Sequence, residues 1–415
     1  MKNVFYFALV ILVSFSLQSK CFSQNKQSFD SIINANKYIF SINDNQIIGR
    51  GKRFLQQEAT SSQFFMIGEL HGNNETPIFS KAVLNLLQSY NYKHFAIEVG
   101  PYSEKKISSI LNQKNGMNLL AEFYKKYDLK ESKVSSPIPF FDLLDEALLL
   151  EYAVKNNYKL WGLDQEFINA PLFLFDDIYE MCKSKISNQE LKKLHNSAKK
   201  KLLGIMSNNS KNMFHELSTN KEIKRFFGIA SEISEEAKSI IDEIHVSWKI
   251  YEHNKLNQYF EANNSRAQLM KRYFSQYYNQ IAKNENAPKV IVKMGSMHMG
   301  YGKSPLGIYD IGNSMHELAK LNNSKTFNLA VAGRYYFLDD KKVDRLPYVP
   351  EYEIFFKHEE TEGFTIIDLR PLRKAFRNKT VKTSNRKLIN LLDRYDALIL
   401  CSLSKASHKT QDFKN

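Results

Sequence analysis

Seven short apolar runs, separated by longer helix-periodic stretches, constrain this chain more than any other feature. They are Phe64-Phe65-Met66-Ile67, Phe95-Ala96-Ile97, Leu160-Trp161-Gly162-Leu163, Val290-Ile291-Val292, Phe327 to Ala332, Thr365-Ile366-Ile367 and Ala397-Leu398-Ile399-Leu400. Most lack strict alternation, the pattern of strands covered on both faces. Between them, Pro77 to Tyr90 carries Ile78, Ala82, Val83, Leu86 and Leu87 at helical spacing, and Asp142 to Val154 does so with Leu144, Leu148 and Tyr152. Strand and helix in repeated succession predict an α/β fold with a central, mostly parallel sheet flanked by helices. From 172 to 283 the chain is charged and helix-periodic, which predicts a large helical insertion capping the strand ends. Its expected breaks are Asn208-Asn209-Ser210 and Asn263-Asn264-Ser265. Tyr348 to Lys357 reads as a further strand or an irregular edge.

The N-terminus is a separate segment. Lys2 precedes an almost uninterrupted apolar run from Val4 to Leu17, and Ser19, Cys21 and Ser23 lead into polar Gln24 and Asn25. That order is the layout of a secretory signal peptide cleaved after Ser23. The run is too short for a transmembrane anchor, and Lys20 before Cys21 does not suit a lipid-attachment site. We therefore expect a signal peptide over 1–23 and one domain over 24–415 that includes the 172–283 insertion. The expected product is exported, periplasmic or secreted, with no stable membrane span. Removing Lys2 and Lys20 lowers the net charge from +14 to +12, since 1–23 holds no acid. The excess is scattered, as in Lys199-Lys200-Lys201 and Lys341-Lys342, with no basic stripe interleaved with aromatics, so nucleic acid is not an expected partner. Two cysteines, Cys182 and Cys401, remain after cleavage; they allow one disulfide at most and no zinc-cysteine cluster.

The chemistry-bearing residues gather where strands end. In an open parallel sheet, ligands bind beyond the carboxyl ends of the strands. The first run leads into Gly68-Glu69-Leu70-His71-Gly72, with Glu75 following. Glu69 and His71 flank one residue, so in an extended segment they project to the same side. A carboxylate beside an imidazole orients it and raises its basicity, which suits a general base or a metal ligand. Glu75 suits either the site or the dipole of the next helix. The second run ends in Glu98 before Gly100-Pro101, the third in Asp164-Gln165-Glu166, and the fourth leads through Gly295 to His298 and Gly300. Acid or imidazole thus follows four core strands at one edge. Arg266 heads a helical face of Met270, Phe274, Tyr277 and Ile281, as a buried ion-pair partner or a substrate clamp. No nucleophile elbow, phosphate loop, His-Glu-x-x-His pair or dinucleotide fingerprint is present.

Taken in order, Gly68-Glu69-Leu70-His71-Gly72-x-x-Glu75, Ile97-Glu98, Arg266-x-x-x-Met270, Gly295-x-x-His298, Asp310-Ile311-Gly312-Asn313 and Tyr395-Asp396-Ala397-Leu398-Ile399 resemble the erythromycin esterase/ChaN-like superfamily. The resemblance implies a mostly parallel sheet with helices over the site, His71 as the base that activates water, and Glu69, Glu98 and His298 lining the same cleft. The esterases usually place two residues between the first glutamate and the histidine. Here only Leu70 intervenes, a spacing closer to the ChaN-like haem-binding lipoproteins and related metal-dependent peptidases. The expectation is a hydrolase acting on an ester, lactone or amide of a small-molecule substrate, with Glu69, His71, Glu98 and His298 as catalytic residues. Arg266, Glu75, Asp164 and Glu166 are the expected substrate-binding residues. That reading requires no cofactor. The alternatives are a haem- or iron-binding protein and a metal-dependent peptidase-like relative, in which the same two glutamates and two histidines hold a divalent metal, or a histidine is the axial ligand of haem.

Overall fold

The computed structural model describes residues 28–129, 135–184, 188–338, 341–401 and 408–413, so the expected signal segment lies outside it. Within these residues the strands are β1 (Lys37–Asn43), β2 (Gln46–Gly49), β3 (Ser62–Glu69), β4 (Tyr92–Ile97), β5 (Lys159–Gly162), β6 (Lys289–Gly295), β7 (Lys325–Gly333), β8 (Tyr335–Leu338), β9 (Lys341–Asp344), β10 (Phe364–Asp368) and β11 (Ala397–Cys401). Nine of them form one sheet in the order β2-β1-β10-β11-β7-β3-β6-β4-β5. The pairs from β11 through β5 are parallel, and the three from β2 to β11 are antiparallel. The architecture is α/β with a mostly parallel sheet flanked by helices.

Strand pleating sends alternate residues to opposite faces. Phe65, Ile67, Phe95, Ile97 and Ile291 join one apolar core, and Phe64, Met66, Ala96, Val290, Val292 and Met294 join the other. Two hairpins went unmarked by apolar runs. In the first, β1 and β2 meet through Asp44-Asn45, both left-handed at φ 47° and 61°, the geometry of a two-residue hairpin turn. The second joins β8 to β9 beyond the carboxyl end of β7.

The helix that precedes β5 buries a face rotated from the expected one, and the helix that follows β3 does so only in part. Glu75–Leu87 buries Ala82, Val83 and Leu87 as expected, with Phe79, Ser80 and Leu84 beside them, and leaves Ile78 exposed and Leu86 half-buried. Leu144–Lys155 buries Glu146, Ala147, Leu149, Leu150 and Ala153, leaving Leu144, Leu148 and Tyr152 half-buried. Apolar residues encircle both helices, so periodicity alone did not decide which side meets the sheet.

Six helices follow β5: Pro171–Cys182, Asn188–Asn208, Met213–Thr219, Lys221–Ile233, Glu235–Lys255 and Tyr259–Ala282. The chain breaks at Asn209, as the asparagine pair suggests. It does not break at Asn263-Asn264-Ser265, which lies inside Tyr259–Ala282; the turn falls at Leu256–Gln258, where Asn257 takes φ 62°. Asparagine tolerates a helix interior when the apolar face around it is buried, here by Ala262, Ala267 and Met270. Tyr348 to Lys357 forms a short 3-10 turn (Pro350–Tyr352) and one helical turn (Glu353–Phe356) in place of a strand. Cys182 and Cys401 are both buried. None of the described helices is long and apolar enough to cross a membrane.

Candidate active site

β3 ends at Glu69, and its hydrogen-bond ladder continues one residue further, from Leu70 N to the carbonyl of Val331 at 3.2 Å. The chain then turns at Gly72, whose φ of 85° favours glycine. The turn carries the His71 ring back over the strand ends. Its Nδ1 lies 3.1 Å from Glu69 Oε1 and its Nε2 lies 3.8 Å from Glu98 Oε2. One ring face stacks on Phe140, with centroids 4.2 Å apart and planes 12° from parallel. Phe140 holds a left-handed backbone, φ 66°, and non-glycine residues in that region cluster at functional sites. Beneath the ring is Gly295, the last residue of β6. A Cβ there would lie 2.8 Å from His71 Nε2 and 3.3 Å from Glu98 Oε2, so only glycine lets the imidazole seat between the two carboxylates.

Glu69 shares its sheet face with Ile67, and pleating puts Lys293 of β6 on that same face. The buried Lys293 ammonium donates to Glu69 Oε1 at 2.8 Å and to Glu146 Oε1 at 2.9 Å. Phe141 covers it, 5.4 Å from Nζ to ring centroid. One cation therefore serves two buried carboxylates, and their acidities diverge. Burial would raise the Glu69 carboxyl, but Lys293 and His71 overbalance it and hold it down at about 2. At Glu146 burial wins, with Glu69 adding repulsion, and its carboxyl is pushed up to about 7. Lys293 itself is raised by the two carboxylates despite its burial. His71 is also raised: burial opposes its charge, but Glu69 and Glu98 favour it.

Glu98 emerges on the other face, in series with Ala96. Its Oε1 accepts Arg266 Nη2 at 2.8 Å and lies 3.5 Å from His298 Nε2, while Oε2 accepts the Gly295 N–H at 2.5 Å. Burial would raise this carboxyl, yet His298, Arg266 and His71 together keep it below the usual range. Arg266 reaches over from Tyr259–Ala282 and lays its fork on Asp164, Nε to Oδ1 at 2.8 Å and Nη2 to Oδ2 at 2.5 Å. The pairing is bidentate, which fixes the guanidinium plane. His298 lies in a single helical turn (Ser296–Met299) after β6 and is buried. Its Nδ1 donates to Asp310 Oδ2 at 2.8 Å, and Asp310 Oδ1 caps the helix Ile311–Leu321 at the Ile311 N–H. Asp310 thereby fixes the tautomer that turns Nε2 toward Glu98.

Six of the eight expected site residues thus converge: Glu69, His71, Glu98, Asp164, Arg266 and His298. The other two stand apart. Glu166 accepts the Tyr102 and Ser103 N–H groups at 2.7 and 3.3 Å and the Ser103 hydroxyl at 2.5 Å, at the N-terminus of the helix Pro101–Leu111. Burial still raises its carboxyl to about 7. Its place is a helix start, where the helix dipole favours the charged form against burial. Glu75 opens Glu75–Leu87, its N–H on Asn73 Oδ1 at 3.0 Å, within electrostatic reach of Cys401 and Glu359. Sequence reasoning missed Lys293, Glu146, Asp310 and Phe140. A lysine inside Val290-Ile291-Val292-Lys293-Met294 was the usable signal, because a buried ammonium demands buried carboxylates. Asp310 preceding a helix read only as part of a motif, and nothing local marks Phe140.

Two cavities meet at Phe140. One, of about 190 Å³, is lined by Glu69, His71, Asn73, Phe140, Asp145 and Glu146 among others. The second, of about 260 Å³, is lined by Phe140, Asp164, Phe167, Tyr251, Asn254 and Arg266 among others. The donor set does not fit a divalent metal. Glu69 already receives an ammonium, Glu98 a guanidinium and a backbone N–H, and His298 Nδ1 is turned to Asp310. Among the described residues no three His, Cys, Asp or Glu side chains form a group that could hold a metal ion. Nor does His71 suit a haem iron, with Nδ1 on Glu69, Nε2 in the Gly295–Glu98 cradle and one ring face on Phe140.

No family model matches the chain, and no curated protein matches it. Solved structures do. A histidine-to-asparagine mutant of the erythromycin esterase EreC, in its open conformation, superposes with a TM-score of 0.54 at 13% identity, over 90% of this chain and 98% of that one. A Bacillus cereus protein known by its crystal structure gives 0.53 at 14% identity, over 91% and 98%. A succinoglycan biosynthesis protein gives 0.51 at 12% identity, over 91% and 97%. Nearly the whole length of each is matched, helical region included, and the fold of this protein is therefore that of the erythromycin esterases.

Proposed function

We propose that this protein is a hydrolase that uses His71 to activate water against an ester, lactone or amide carbonyl of a small-molecule substrate. The observation that carries this reading is the seat of His71: a half-exposed imidazole at a cavity, braced from behind by the buried Glu69 carboxylate. Donation of Nδ1–H to Glu69 leaves the lone pair on Nε2 and raises its basicity. Nε2 and Glu98 Oε2, 3.8 Å apart, are too far for a direct hydrogen bond, so a water held between them is polarised from both sides. His71 takes the proton, and the water oxygen adds to the carbonyl carbon. The oxygen of that carbonyl gains negative charge, which the Arg266 guanidinium is the nearby group to stabilise. Likeness to an erythromycin esterase supports ester or lactone as the bond, while the two cavities with Phe140, Phe167 and Tyr251 favour a substrate with apolar bulk. On the same footing we read the protein as exported, from its N-terminal segment.

The test is hydrolysis of a panel of esters, lactones and peptides by the purified protein and by His71→Ala. A positioned general base contributes about 10²–10⁴-fold in rate, so kcat should fall by at least about 10²-fold while the melting temperature holds. Activity surviving within a few-fold overturns the role of His71.

A further inference from the structure

We propose that Glu146 is the catalytic acid of this site, protonating the departing oxygen or nitrogen in the cavity that it and His71 both line. The inference rests on the hydrolytic reading above and assigns the second proton transfer that such a reaction needs. Glu146 sits on Leu144–Lys155, buried on the helix face that meets the sheet. Its Oε1 is fixed by Lys293 at 2.9 Å, whereas Oε2 is buried with no hydrogen-bond partner among the described residues. A buried oxygen left unsatisfied costs free energy, and such an oxygen on a residue that lines the cavity calls for an explanation. A carboxyl that lines the cavity with the base, held at one oxygen by Lys293 and free of hydrogen bonds at the other, has the arrangement of a proton donor.

The surroundings supply the matching electrostatics. The charged and titratable groups around Glu146 are Lys293 from β6, Glu69 at the end of β3, His71 in the loop after it, and Tyr124 from Gly116–Tyr127. Asp142 and Asp145 come from its own segment. Lys293 is shared with Glu69, so its charge is already partly spent, and burial keeps the Glu146 proton in place near neutrality. Two carboxyl groups whose environments drive them apart mark separate roles. Glu69 stays ionised and holds the imidazole; Glu146 carries a proton to give.

The proton balance closes. Water gives its proton to His71 Nε2, its oxygen bonds to the carbonyl carbon, and the π pair moves to the carbonyl oxygen. When that pair returns, the bond to the leaving atom breaks, its electrons stay on the leaving atom, and the Glu146 proton joins them. His71 then loses its proton to solvent and Glu146 regains one, so the net reaction consumes one water.

The experiment compares two ester classes with wild-type protein, Glu146→Gln, Glu146→Asp and His71→Ala. An alkyl ester or lactone needs its leaving oxygen protonated; a 4-nitrophenyl ester of the same acyl group does not. Glu146→Gln should lower kcat on the alkyl ester by at least about 10²-fold and on the nitrophenyl ester by no more than a few-fold. Glu146→Asp should restore part of the lost rate, and the fall in wild-type alkyl-ester rate above neutral pH should vanish in Glu146→Gln. His71→Ala should impair both classes. Equal effects of Glu146→Gln on the two classes, with activity still dependent on His71, overturn the acid role alone. Absence of hydrolysis of either class by the wild-type protein overturns the hydrolytic reading and this role with it.

Discussion

Lys293→Met removes the one cation that holds two buried carboxylates together, and the structure sets the size of the loss. The lysine side chain is about 1% exposed, its partners Glu69 and Glu146 5% and 10%. Methionine matches its apolar stem, so little packing is lost. What remains is a pair of buried glutamates facing an apolar side chain. Breaking a buried ion pair from one side costs about 3–5 kcal/mol. Holding Glu69 at about 2 against an ordinary 4.5 corresponds to about 3 kcal/mol of stabilisation, the net of burial against Lys293 and His71 together. That contribution is present above about pH 4.5 and is lost as pH falls toward 2. For a chain of this length, a 3–5 kcal/mol loss lowers the melting temperature by roughly 3–6 °C. The fingerprint is its pH dependence. Without the ammonium both carboxyls bind protons more tightly in the fold, so the deficit against wild type should be largest at pH 8. It should narrow at pH 5 by at least about 1 kcal/mol. Urea denaturation at the two pH values, with unchanged m-values, measures it. A deficit under about 1 kcal/mol, or one equal at both pH values, would refute the argument that Lys293 is the shared counter-ion.

Three further outcomes are expected. Gly295→Ala puts a methyl 2.8 Å from His71 Nε2, so it should reduce hydrolysis by about 10²-fold while shifting the melting temperature far less than Lys293→Met does; wild-type turnover in this variant would show that the ring does not need its seat. Glu146 is raised to about 7 in the fold from an ordinary 4.5, so it contributes about 3 kcal/mol of stability that is full below about pH 4.5 and gone above about pH 7; the difference in unfolding free energy between wild type and Glu146→Gln should therefore change across that window and stay flat beyond it. Native protein from the source cell should begin at or near Gln24, and N-terminal sequencing that finds Met1, or mass spectrometry that finds lipid on Cys21, would contradict export by signal cleavage.

The parallel core was legible because β3, β4, β6, β7 and β11 are buried on both faces and are therefore written as unbroken apolar runs. Strand ends carrying Glu69, Glu98, Asp164 and His298 were legible for a related reason: polar residues directly after such runs must lie at the sheet edge. The β1–β2 hairpin was not legible in that way, because its exposed Ile39 and Ile48 blur the alternation and its turn is only two residues long.

What the sequence determined by itself is the set of elements and the residues at their ends, since periodicity and termination are local properties. Sheet order is not local. Only the tertiary structure inserts β6 between β3 and β4, bringing Lys293, Gly295 and His298 between residues that lie far earlier in the chain. That insertion makes Lys293 a shared counter-ion and Gly295 the seat of His71. It separates Glu166, which turns to a helix N-terminus, from Asp164, two residues away, which turns to Arg266. The same long-range packing chose the buried face of Leu144–Lys155 and with it Glu146. Carboxyl acidity follows the final balance of burial and neighbouring charge, so two glutamates of one residue type reach opposite ends of the scale only after the chain has folded.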